Sequence, residues 1–481
     1  MIEIKSTITL SPFVKNTHSF SVDSTDISNF TLTIDQGVNR KVALLIILRD
    51  SNGHVRIQYQ TPIVDEKLVV AKDPAFCSAG CVGGEIPCGD WELEVVYTPH
   101  SADRVPKFTG RKVDYKVNIT LNDELEREYD REHFCKGNVF IREDEFERVI
   151  NEEHRWYKGD FHVHTDLTDG EMDDELAMSV CEKQGLDFLY ATEHNIIMPS
   201  YQKGNTLIIP SMELTTPYGH YNIFGMKEYV DFTTYLDESF NAERMDELFS
   251  FVKEKGYLIS VNHPFMRPWT NQINISLENI FTMEIMCDPT FKSSKPSTLE
   301  SLKFFDQLWL NGQKIWGIGG SDSHLHPSKT FPGSKDPSIY GDPGTYVLCD
   351  GLSMKNLKDA IQKGRIYFSR FRELEIDIQN EGKIIFVGDE VKGHIEYNIH
   401  TDKACEWRLI IDGQVAAKEF GEKVNFSFEL NEGSYARIEG WEDDELVAFI
   451  NPIHNNSCSK NIKTWYEVLG GVGNEERNHL R

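Results

Sequence analysis

Between Trp156 and about Arg370, short apolar runs alternate with amphipathic stretches, and this repeat constrains the fold more than any other feature of the chain. Asp173 is placed to cap a helix carrying Leu176, Ala177, Val180 and Cys181, closed by Gly185, and a strand follows over 187–192. Further strands are expected over 206–210, 257–261, 281–286 and 315–318, with helices over 246–255 and 297–311. Strand–helix alternation of this kind predicts a parallel sheet, open or closed into a barrel. On both sides of the repeat the period changes to two. Alternating stretches over 30–34, 55–59, 91–97 and 116–121 precede it, and 375–378, 407–411, 424–428 and 435–438 follow it. Turn clusters such as Ser51-Asn52-Gly53 and Asp412-Gly413 separate them, which predicts all-β units. The fold class expected is therefore multidomain α/β plus all-β. It comprises a β-sandwich-like domain over 1–150, an α/β unit over 151–371, a C-terminal β domain over 372–455 and a polar tail over 456–481.

Charge narrows the partners. The formal net charge of −27 repels nucleic acid and anionic membranes, so neither is expected as a general partner. A small anionic substrate would need a local cationic site, which bound metals supply. The N-terminal stretch has no basic head followed by an apolar core, and no apolar run is long enough to span a bilayer. The cysteines are odd in number at 9 and widely spread, which predicts free thiols. Together these features predict a cytoplasmic location.

The chemistry collects just after the apolar runs. His162 and His164 are separated by one apolar residue, so in an extended segment both imidazoles share a face, with Asp160, Asp166 and Asp169 close by. Glu193-His194-Asn195, Glu213, His220, Asn262-His263-Pro264 and Asp322-Ser323-His324 follow or occupy later runs. In a parallel β/α barrel the strand C-termini share one face, so these groups converge. Buried imidazoles and carboxylates together are costly without a cation, and the set predicts a metal site.

In this order the motifs resemble the polymerase-and-histidinol-phosphatase (PHP) superfamily of metal-dependent hydrolases, and most of all its carbaryl-hydrolase (CehA/McbA-like) branch, over about Asp160 to His324. The resemblance implies a distorted (β/α)7 PHP barrel flanked by the two β-sandwich-like domains and holding two or three divalent metal ions. On this resemblance His162, His164, Glu213 and Asp322 would hold the first ion. Glu213 would bridge to a second, completed by His220 and His263, and Asp169, His194 and His324 would hold the third. Glu193 stands where the family usually has Asp, and Asp169 where some relatives have His. The expected ligand set contains no sulfur, so Zn, Mn and Fe are all admissible.

Hydrolysis by a metal-bridging hydroxide is the implied chemistry, with phosphate mono- or diesters as the leading substrates. A carbamate, carboxyl-ester or amide hydrolase is the alternative, and a non-catalytic binding module is a third reading. The catalytic and substrate-holding groups expected beside the metals are Glu193, Arg267, His326 and Lys329. Arg267 is expected to grip an anionic oxygen because it follows His263 closely. The Pro- and Gly-rich loop over 326–343 is expected to border the pocket.

Overall fold

The computed structural model describes residues 1–37, 42–61, 67–125, 127–237, 239–455 and 462–470. Strands dominate and helices are few. The N-terminal segment forms two four-stranded antiparallel sheets. One runs in the order Ile2–Thr9, Lys112–Leu121, Asn29–Asp35, Leu68–Ala71, and the other Val14–Val22, Gly89–Tyr97, Leu45–Arg49, Val55–Gln60. Phe30 of the first meets Trp91 of the second edge-on at 5.3 Å. Strand Gly89–Tyr97 buries both faces, because its second face packs on the middle of the chain. There Glu94 accepts from Lys15 at 2.7 Å and Arg49 at 2.8 Å, and Arg49 also donates to the Tyr229 hydroxyl. Gln58 exchanges two hydrogen bonds with the backbone of Ile197. These bonds fix the N-terminal sheets to the unit that carries the histidines.

The middle segment is not a simple parallel repeat. Asn151–Asp160, Phe188–Ala191 and Leu207–Pro210 pair in parallel, as do Leu258–Val261, Thr282–Cys287 and Trp316–Gly320. Asn151–Asp160 also pairs antiparallel with Gly344–Leu352, and Met212–Thr216, Gly219–Phe224 and Leu258–Val261 run antiparallel in succession. The cause lies in Pro217-Tyr218-Gly219. Pro217 sets a turn, and Gly219, at φ +154°, lets the chain reverse into an antiparallel hairpin, a departure from the parallel repeat expected. Two parallel bridges, His194 with Glu213 and Val163 with Ser323, join the ends of the two sheets.

The helices begin where caps occur. Asp173 accepts from the Leu176 amide and opens Asp174–Lys183, which buries Ala177, Met178, Val180 and Cys181. Asn241 accepts from the Arg244 amide, so Ala242–Glu254 starts four residues before the expected 246. Ser294–Leu310 covers the strands near Trp316.

The C-terminal strands continue the middle sheet while burying a core of their own that includes Ile395, Tyr397 and Trp407. Ile366–Ser369 pairs with Glu445–His454, so one sheet runs unbroken from Leu207–Pro210 to Lys383–Ile385. Asn451 reaches the neighbouring sheet, accepting from the Gly317 amide and donating to the Gly317 carbonyl, both at 2.7 Å. Within the expected tail, residues 456–461 and 471–481 lie outside the described residues. Helix Trp465–Leu469 packs on the body, with Trp465 4.1 Å from the Phe304 ring. The eight described cysteines are all free thiols. Among the described residues no helix is long and apolar enough to cross a membrane.

Candidate metal centre

The nine side chains expected to ligate metal all meet where the two sheets adjoin. Eight of them, all but His220, join with Cys287 in three groups, within each of which the donor atoms lie within 4.8 Å of one another. One is His164, Asp169, His194 and His324; a second is His162, Glu213 and His263; a third is His162, Cys287 and Asp322. Two glycines permit the approach. A Cβ on Gly170 would lie 2.6 Å from the His164 carbonyl, blocking the loop that returns Asp169 to the centre. A Cβ on Gly320 would lie 2.4 Å from Glu284 Oε1 and 2.6 Å from the Cβ of His162.

Glu213 sits at the middle, fully buried. Its Oε1 is 3.1 Å from His162 Nε2, 3.1 Å from His220 Nδ1 and 3.5 Å from His263 Nε2. Its Oε2 is 2.6 Å from His194 Nδ1 and 3.6 Å from His164 Nε2. Asn262 adds a hydrogen bond of 2.9 Å to Oε1. Asp322 Oδ1 is 3.1 Å from His164 Nε2 and 3.3 Å from His162 Nε2. Asp169 Oδ1 is 3.2 Å from both His194 Nε2 and His324 Nε2.

Four of the imidazoles are oriented by a bond on the side away from their group. His162 Nδ1–H donates to Glu284 at 2.8 Å, and His324 Nδ1–H to the Asp322 carbonyl at 2.8 Å. His220 Nε2–H donates to the His100 carbonyl at 2.8 Å, and His194 Nδ1–H to the Thr215 hydroxyl at 2.6 Å. Each bond fixes a tautomer and turns the other nitrogen inward as an acceptor, the arrangement of a metal-ligating histidine. The donors fit divalent ions on a second count. His162 Nε2, both nitrogens of His164 and His263 Nδ1 are buried without a hydrogen bond.

The electrostatics agree. Burial pushes the Glu213 carboxyl up, but His220, His162 and His194 outweigh it and hold it well below the ordinary value. Burial opposes charge on His162, yet Asp322, Glu284 and Glu213 raise it well above its ordinary value. The carboxylates thus demand positive charge at His162 Nε2, where the donors converge. His164, by contrast, is pushed down to about 3 by burial and by His194 and His324, and stays neutral, as a ligand must.

The backbone is strained here. Asn195, His263, Asp288 and Asp322 have φ of +57°, +28°, +35° and +45°. Such values in non-glycine residues persist only where surrounding contacts enforce them, and they gather at functional sites.

The expected catalytic group differs from what surrounds the centre. Glu193 does not face the cavity. It accepts from the Thr165 amide at 2.8 Å, the Thr165 hydroxyl at 2.6 Å and the Thr168 hydroxyl, and burial raises it to about 7. It clamps the loop between His164 and Asp169, because the longer Glu side chain reaches the threonines. Arg267 and Lys329 are exposed and, with His326, are not among the residues lining the cavity at the centre. Lys329 is paired with Glu171 at 2.8 Å, which also accepts from the His326 amide, while His326 Nδ1 bonds Ser328. Closeness in sequence to His263 misleads for Arg267, because the turn after His263 carries it outward.

Other groups take these places. Glu284, buried in Thr282–Cys287, also accepts from the His263 amide at 2.7 Å. Cys287 Sγ lies 3.5 Å from Asp322 Oδ2, so the donor set does include a sulfur. Both follow the rule that located the histidines: a polar or sulfur group within or just after an apolar run. His100 carries no such signal. It enters from the N-terminal segment, buried, with its ring 4.5 Å from that of His194. The cavity above the donors measures about 180 Å³, and Arg104, Trp269, Asp288, Phe291 and Phe331 share its lining with the histidines.

No family model and no curated protein matches the chain. Among solved structures, a two-domain protein from Bacteroides vulgatus containing a predicted PHP-like metal-dependent phosphoesterase is 14% identical. The alignment covers 65% of this chain and 99% of that one, with a TM-score of 0.35. A putative metal-dependent phosphoesterase from Bifidobacterium adolescentis is 12% identical over 38% of this chain and 94% of its own, with a TM-score of 0.24. Likeness of this degree carries no argument about activity, and the functional reading rests on the side chains.

Proposed function

We propose that the chain is a metal-dependent hydrolase of the PHP type that cleaves phosphate mono- or diesters. The observation that carries this reading is the convergence of five imidazoles on the buried carboxylate of Glu213. The circuit of strands closed by the His194–Glu213 and Val163–Ser323 bridges is read as the distorted barrel.

His162, His164, Glu213 and Asp322 would hold one divalent ion. Glu213, His220 and His263 would hold a second, and Asp169, His194 and His324 a third. Divalent ions so held supply Lewis acidity and make water acidic enough to ionise near neutral pH. Cys287 would extend the first set with a soft donor, which favours Zn or Fe over Mn. Glu284 holds the His162 ring in place and raises its basicity, and Glu193 keeps the loop that presents Asp169 closed on the centre.

Charge balance favours phosphate. Two divalent ions would balance the four negative charges of Asp169, Glu213, Asp322 and Glu284, and a third would leave a cationic floor suited to an anionic ester. The aromatic rings of Trp269, Phe291 and Phe331 favour a second reading, a carbamate, carboxyl-ester or amide hydrolase with a neutral substrate.

Elemental analysis of the purified protein, followed by assay on p-nitrophenyl phosphate, bis(p-nitrophenyl) phosphate and p-nitrophenyl acetate, tests both readings. Bound divalent metal and turnover of a phosphate ester are expected. Glu213→Gln should lose metal and cut turnover by roughly 100-fold or more. Full metal content with unchanged turnover in that variant would overturn the role of Glu213.

A further inference from the structure

The cavity is lined by one guanidinium and no ammonium group, and the guanidinium is Arg104, from the N-terminal segment. Its position is fixed by what lies beside it. Four residues earlier His100 is buried, its ring against His194 and its carbonyl bonded to His220. The adjacent Asp103 is committed elsewhere, accepting from the Ser101 hydroxyl at 2.6 Å and from Lys107 at 2.5 Å. Other arginines of this acidic chain are matched with carboxylates: Arg131 with Asp174, Arg155 with Asp187, Arg370 with Asp342 and Arg437 with Asp306. Among the described residues no carboxylate lies within ion-pairing distance of Arg104. Arg104 lies exposed at the rim of the cavity, where its charge is presented to whatever enters.

The same cavity has an apolar part. Trp269 and Phe291 lie 5.6 Å apart and Phe291 and Phe331 5.2 Å apart, all three half-buried. Trp269 also meets the His263 ring at 6.3 Å, so this shelf begins at the donor cluster.

We infer that Arg104 and the Trp269–Phe291–Phe331 shelf read the two ends of the substrate, an ester joining an anionic acid part to a planar apolar alcohol or phenol. Arg104 holds non-bridging oxygens of the acid part through paired hydrogen bonds, and the aromatic rings stack on the leaving group. The inference rests on the hydrolase reading and adds to it that the N-terminal segment sets specificity.

Binding of phenylphosphonate, methylphosphonate and inorganic phosphate to the full-length, metal-loaded protein, measured by calorimetry, tests the inference without turnover. Phenylphosphonate should bind about tenfold or more tightly than methylphosphonate, and Phe291→Ala should remove most of that preference. Arg104→Ala should weaken inorganic phosphate by about 10- to 100-fold with metal content unchanged, and Arg104→Lys should recover part of the loss. Should Arg104→Ala lose its metal, Arg104→Gln, which keeps the methylene stem and a polar end without the charge, takes its place in the comparison. Phosphate binding within twofold of wild type in the metal-loaded Arg104 variant, or equal binding of the two phosphonates to wild type, would overturn the inference. A wild type that discriminates as expected but hydrolyses no ester would instead overturn the hydrolase reading and leave this one standing.

Discussion

His220 donates from Nε2 to the backbone carbonyl of His100 at 2.8 Å, across 120 positions of sequence. A side chain of the donor cluster is thus oriented by the backbone of a different sheet system. A carbonyl survives any substitution of its own side chain, so the two partners should respond differently to mutation. His100→Ala keeps the acceptor and loses the ring contact with His194 and the 3.8 Å approach of Nδ1 to Asp169 Oδ2. Its metal affinity should change by less than about threefold, whereas His220→Ala should lose about tenfold or more. Chelator competition with elemental analysis measures both. Equal loss in the two variants would show that the His100 ring, and not its carbonyl, supports the centre.

A second expectation concerns acid stability and lies away from the centre. His454 is buried beside Trp309 and Trp316, and burial, then the Lys314 ammonium, lowers it to about 4 from 6.5. Between pH 6.5 and 4 the unfolded chain binds a proton here that the folded chain does not. Stability is therefore complete above pH 6.5 and falls as pH drops toward 4, by at most about 3 kcal/mol from this group. His454→Leu should flatten the pH dependence of the thermal midpoint across that window. A variant whose midpoint tracks wild type from pH 7 to pH 4 would remove His454 as the cause.

Cys287 makes a prediction about metal preference. Its thiol stands with His162 and Asp322 as a donor group, and soft ligands favour zinc over manganese. Cys287→Ser should lower zinc affinity while leaving manganese affinity within about threefold. Competition between the two ions, followed by elemental analysis, reads the ratio directly, and an unchanged ratio would exclude the thiol as a ligand.

Much of the centre was legible in the sequence because its donors obey a local rule. His162, His164, Glu213, His263 and Asp322 all fall at or just beyond apolar runs, so strand periodicity places them. Glu284 and Cys287 obey the same rule, but one carboxylate and one thiol within a buried strand look like ordinary core residues until their distances are known. Arg267 and Lys329 show where closeness in sequence fails as a guide: a loop turns within a few residues, so a neighbour of a donor need not face the donor's cavity. His100 and Arg104 had no local signal, since their place depends on how the N-terminal sheets dock through Arg49, Glu94 and Gln58. The antiparallel hairpin turns on Pro217 and Gly219 and was not expected, because an apolar run alone does not reveal the direction of its pairing.

The sheet that runs unbroken into the C-terminal strands bears on how such a chain can change over generations. Asn451, on the strand Glu445–His454, grips Gly317, and Gly317 belongs to the strand that delivers Asp322. A break near residue 371 would bare the edge of Ile366–Ser369 and leave the Gly317 amide and carbonyl without Asn451. From the other end, His100 ties the first sheets to the same centre. A histidine-bearing segment lifted out by recombination would therefore lose contacts at both its ends. The three segments are expected to change together over generations rather than one at a time.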